Sequence, residues 1–117
     1  MRKIVVLAAA ACLVGQAAMA HAFLDRASPA VGSEVSGAPA ALKLSYTEAV
    51  EPLFSSVQVT DANGVREDDG KPSTEDDGRV LSVKLKPLAP GVYSVAWHVT
   101  SVDTHKTEGH FTFTVRP

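Results

Sequence analysis

Five stretches of this chain alternate apolar and polar residues with a period of two. In ALKLSYT, Leu42, Leu44 and Tyr46 fall on one face and Lys43, Ser45 and Thr47 on the other. SSVQVTD sets Val57 and Val59 against Ser56, Gln58 and Thr60, and VLSVKLK sets Leu81, Val83 and Leu85 against Ser82, Lys84 and Lys86. VYSVAWHV aligns Tyr93, Val95, Trp97 and Val99, and HFTFTV aligns Phe111, Phe113 and Val115 opposite His110, Thr112 and Thr114. Successive side chains of a strand point to opposite sides, so each stretch predicts a strand with one face on a core and one in water.

The connections carry turn chemistry. Asp61 to Gly64 reads DANG, and Asn-Gly is a favoured hairpin pair. Pro90-Gly91 turns the chain just ahead of a predicted strand that ends near Thr100. EDDGKPSTEDDGR, with its acidic run from Glu67 to Asp77, reads as a solvated, mobile loop. It lacks the ligand spacing and closing glutamate of an EF-hand. Glu48 to Phe54 fits either a loop or a short turn. Short strands, frequent turns and no helical period predict an all-β fold. The expectation is a small Greek-key β-sandwich or barrel, immunoglobulin-like, with about seven antiparallel strands and Trp97 as a core anchor.

The first twenty residues are of another kind. MRK is followed by IVVLAAAACLVG and then by QAAMA, that is, a basic start, an apolar run and an A-x-A motif. This is the layout of a secretory signal peptide, with cleavage expected between Ala20 and His21. The apolar run is short for a membrane span, which takes roughly 20 residues. Cys12 lacks the leucine context of a lipoprotein site. Removing 20 of the 117 residues leaves 97, enough for one domain over 21–117 with a single core. Loss of Arg2 and Lys3 takes the formal charge from −2 to −4, and the remaining chain has no cysteine and no methionine. That excludes a disulfide framework, and the charge gives no reason to expect nucleic acid as a partner.

Cleavage would make His21 the first residue, with a free α-amine beside its own imidazole. The amine and Nδ1 of one residue can close a chelate ring on one ion, and an amine with an ordinary pKa of about 8 gives up its proton at modest cost. Downstream, SVDTHKTEGHF places Asp103 and His105 two positions apart. In an extended segment such residues face the same way. A carboxylate and an imidazole joined to His21 give three nitrogens and one oxygen. In tetragonal geometry that set suits Cu(II), with Ni(II) a weaker candidate and Zn(II) possible at a tetrahedral site. His98 alternates to the opposite face from Tyr93, Val95 and Val99 and reads as a surface histidine. His110, beside an expected turn at Gly109, reads as exposed, either an outer partner of the site or a weak surface ligand.

HAFLDRASPAVGS, LSYTEAVEP and PGVYSVAWHVTSVDTHKTEGHFTFTV together resemble the CopC family of periplasmic copper-binding proteins, over essentially all of 21–117. The resemblance implies a Greek-key β-barrel or sandwich holding Cu(II), one ion per chain. The ligands it implies are the amine and imidazole of His21, the carboxylate of Asp103 and the imidazole of His105. It places Glu48 in a recurring S/T-E-x-V element, where its carboxylate would hydrogen-bond near the metal. Some family members also hold Cu(I) at a methionine-rich loop. A mature chain without methionine lacks the soft thioethers for that, which implies a Cu(II)-only protein.

The expected function is therefore a monomeric periplasmic Cu(II) carrier or sequestering protein for copper homeostasis and resistance. It would not be an enzyme or insert into the membrane once mature, and would deliver to an inner-membrane copper transporter or another copper-resistance protein. Two alternatives belong to other classes. An N-terminal histidine chelate plus a second histidine is also the histidine brace of copper oxygenases. A secreted immunoglobulin-like interaction domain would bind no metal.

Overall fold

The computed structural model describes residues 22–117. The expected signal peptide, its cleavage point and His21 lie outside the described residues.

Every alternating stretch forms a strand, and every residue placed on an apolar face is buried. The strands are β1 (Leu24–Ser28), β2 (Glu34–Ser36), β3 (Ala41–Tyr46), β4 (Ser56–Thr60), β5 (Ser73–Glu75), β6 (Val80–Lys84), β7 (Gly91–Thr100) and β8 (Lys106–Arg116). They form two four-stranded sheets, ordered β1-β3-β6-β5 and β2-β8-β7-β4. Leu42, Leu44 and Tyr46 of β3 and Leu81 and Val83 of β6 form the buried face of one sheet. Val57, Val59, Val95, Trp97, Val99, Phe111, Phe113 and Val115 form that of the other. The two apolar faces share one core, as immunoglobulin-like sandwiches do. Tyr93 adds a hallmark of that fold, since its hydroxyl donates to the backbone carbonyl of Ala89 four residues upstream. Trp97 sits in the core and meets Tyr46 edge-on, with ring centroids 5.4 Å apart and planes at 72°. No helix among the described residues is long and apolar enough to cross a membrane.

Three expectations need correction. The eight strands among the described residues agree with the expected number, about seven, but the β2–β8 pair is parallel, not antiparallel. After β1 the chain crosses between sheets through SPAVGS, where Gly32, at φ 70°, donates its N–H to Thr112 C=O at 2.7 Å. The acidic stretch is not all loop, because Ser73–Glu75 pairs antiparallel with β6 and Asp76–Gly78 makes a 3₁₀ turn. Lys43 reaches across to hold Glu75 at 2.9 Å, which ties this polar edge down. Gly109 is not in a turn but inside β8, paired with Trp97. The undecided segment resolves into an isolated bridge, Val50 to Ser101, followed by a 3₁₀ turn at Pro52–Phe54.

Candidate metal centre

Strands β7 and β8 run antiparallel in register from Gly91–Val115 to Thr100–Lys106, so the five residues Ser101–His105 form the loop at one end of the hairpin. Ser101 N–H donates to His105 C=O at 2.8 Å, and Thr104 N–H donates back to Ser101 C=O at 2.8 Å. Thr104 has φ 74°, in the left-handed region that a β-branched residue seldom occupies. Strain of this kind persists where surrounding contacts over-determine it, and it clusters at ligand sites. The segment is therefore a tight turn, not the extended run expected from the i, i+2 spacing. Asp103 and His105 still meet, with Oδ2 3.4 Å from Nδ1 and both side chains about half exposed.

That separation has chemical meaning. Two donors about 2.0–2.1 Å from one ion stand about 3.4 Å apart at a tetrahedral angle and closer at a right angle. Small adjustments would place both on one metal. Among the described residues, no group of three histidine, cysteine or acidic side chains gathers around a point.

Ser101 was not singled out in the sequence, yet it organises the loop. It is fully buried, its Oγ–H donates to Asp103 Oδ1, and its oxygen accepts the His105 N–H at 3.2 Å. The Ser101 hydrogen bond, assisted by the neighbouring His105, holds the Asp103 carboxyl below the usual carboxylate range. Asp103 thus stays ionised, and available to a cation, further into acid than an unassisted aspartate. Ser101→Ala is expected to raise the Asp103 pKa, because removing the donor destabilises the charged form. Competition between protons and a bound cation then sets in at higher pH. Carboxyl-carbon NMR of Asp103 against pH measures this, and an unchanged midpoint would count against the role given to Ser101.

Two further segments lie against the loop. Glu51 N–H donates to Thr100 C=O at 2.8 Å and Val102 N–H to Ala49 C=O at 3.1 Å, so the TEAVE stretch runs alongside it. Glu48 is half-buried on that stretch. Among the described residues no hydrogen bond joins it to Asp103 or His105. The start of the described chain is clamped as well. Ala22 is fully buried, and its carbonyl accepts Thr107 Oγ1–H at 2.7 Å, two residues beyond His105. Phe23 is held to Thr47 by two hydrogen bonds of 2.9 Å. His98 and His110 are exposed, as expected, on the outer face of the same hairpin.

Fold and loop define a small β-sandwich protein that presents a carboxylate–imidazole pair at one end. The CopC domain matches residues 24–116, and the chain belongs to the CopC family. It is 38% identical over 106 residues to "Protein YobA" of Escherichia coli (strain K12), covering 89% of this chain and 86% of that one. It is 35% identical over 98 residues to "Copper transport protein CutJ" of Bacillus subtilis, covering 82% of this chain but 18% of that one. The crystal structure of CopC from Methylosinus trichosporium OB3b superposes with a TM-score of 0.77 at 36% identity, over 83% of this chain and 95% of that one.

Proposed function

We propose that this protein is a periplasmic carrier or store for one Cu(II) ion, exported by a signal peptide that is cleaved after Ala20. The observation that carries the reading is the Asp103–His105 pair at 3.4 Å, in a loop two residues from the point where Ala22, just after His21, is clamped to Thr107 of β8. Consecutive Cα atoms are about 3.8 Å apart, and two strand residues span about 7 Å. On our reading, a His21 that begins the mature chain would bring its amine and imidazole to the pair. Together they offer three nitrogens and one carboxylate oxygen, a set that suits Cu(II). Glu48, on the neighbouring stretch, would orient a ligand through an outer hydrogen bond.

Beyond residue 20 there is no methionine or cysteine, so soft ligands for Cu(I) are lacking and the cargo stays divalent. Asp103 would take the in-plane position that oxygen chemistry needs open, which argues for carriage over catalysis. The half-exposed pair suits release to a partner. The partner we propose is an inner-membrane copper transporter, since a match to this domain makes up a small part of the much longer copper transport protein CutJ.

A Cu(II) competition titration of the chain starting at His21 tests this. One equivalent should bind tightly, and His105→Ala should weaken binding by about a hundredfold, ~2.7 kcal/mol. A His105→Ala protein within threefold of the parent would sink the proposal.

A further inference from the structure

The outer face of sheet β2-β8-β7-β4 carries two of the four histidines of the chain, away from the Asp103–His105 loop. His98 on β7 and Glu108 on β8 are register partners, and His98 Nε2 lies 3.2 Å from Glu108 Oε1. His110 stands two residues further along β8 on the same face, opposite Ala96. Because Ala96 ends in a methyl group, a shallow depression separates the two imidazoles, bounded by Ala96, His98, Glu108, Gly109 and His110. Direct cross-strand partners have Cβ atoms about 4.5–5.5 Å apart and diagonal ones about 7–8 Å. Two imidazoles can close a gap of that width over one ion.

We propose that His98, Glu108 and His110 form a second, weaker site for a divalent ion that favours imidazole, Cu(II) or Zn(II). As they stand, the three donors do not surround one point. His98 and Glu108 already meet, and His110 joins by rotating over Ala96, a motion open to an exposed side chain within nanoseconds. Ser56 and Gln58 of β4, paired with His98 and Ala96, edge the same face with neutral polar groups. Lys106, two residues before Glu108, opposes a cation, and without a chelating terminal amine this site stays below the loop site in affinity. The site does not depend on the N-terminal residue or on Asp103.

The test is Cu(II) added stepwise to the ¹⁵N-labelled chain that starts at His21, read by paramagnetic loss of amide signals. Glu108 lies three residues from His105 along the chain, about 10 Å, and His110 five, about 17 Å, so the amides of His110 and its partner Ala96, at the far end of the second site, are the ones that report it. The signals of Ala96 and His110 should vanish at a higher copper concentration than that which removes the loop signals. In the His98→Ala/His110→Ala protein, their loss should need at least tenfold more copper. Persistence of these signals in excess Cu(II), or identical loss in the double variant, overturns the proposal and leaves His98 and Glu108 as a surface contact only. Both histidines are exposed, so unchanged thermal unfolding verifies the fold of the variant. Failure of Cu(II) at the loop would not alter this readout.

Discussion

Acetylating the α-amine of His21 is expected to weaken Cu(II) binding about a hundredfold or more. A free terminal amine with a pKa near 8 yields its proton to a metal at neutral pH, whereas an amide nitrogen offers no comparable lone pair. Acetylation thus removes one of three nitrogens and breaks the chelate ring between amine and imidazole. One added glycine is a related but less clean change. It moves the amine by one residue, about 3.8 Å, and brings an amine of its own. Competition titration of parent, acetylated and glycine-extended chains separates the possibilities. Tight binding by the parent alone makes AMAHAFL a cleavage site that creates a ligand. Equal binding by all three means the amine is not a ligand.

The second large effect is on stability. Gly109 sits in β8 under the indole of Trp97, and a Cβ built there falls 2.6 Å from Cζ2 and 2.8 Å from Cε2. Those separations are far inside van der Waals contact, so Gly109→Ala must displace a ring buried in the core. Overpacking of this kind costs about 1–3 kcal/mol, against a gain of roughly 0.4–1 kcal/mol from a less flexible unfolded chain. At about 4–8 °C per kcal/mol for a domain of this size, the melting temperature should fall by roughly 5–15 °C. Trp97→Leu removes the clashing ring atoms and is destabilising alone. The double variant should therefore be more stable than the sum of the two losses, by at least about 1 kcal/mol. Additive losses in urea unfolding would show that the indole and Gly109 do not compete for the same space.

Much of the sandwich was legible because strand burial is a local, period-two property. Leu42, Leu44, Val83, Val95 and Phe113 could be assigned to the core from their nearest neighbours alone. β2 and β5 were not legible. Each has three residues, too few for a period to show, and neither presents a fully buried side chain. Their strand character comes from pairing with β8 and β6. Gly109 misled for a related reason: in sequence a glycine reads as a turn, while here its missing side chain makes room for an indole contributed from the paired strand.

The site divides along the same line. Asp103 and His105 were visible because they are two residues apart in one loop, although a left-handed Thr104, not an extended backbone, brings them together. Ser101 was hidden, since it is buried where a bridge to Val50 brings in a segment about fifty residues earlier. By itself the sequence determined the alternating faces, the family and the types of donor available, all properties of residues and their immediate spacing. The tertiary structure decided the buried serine that tunes Asp103 and the clamp of Ala22 onto Thr107, 85 residues away. Contacts at that separation depend on register and on which sheet each strand joins, and no local pattern in a chain encodes either.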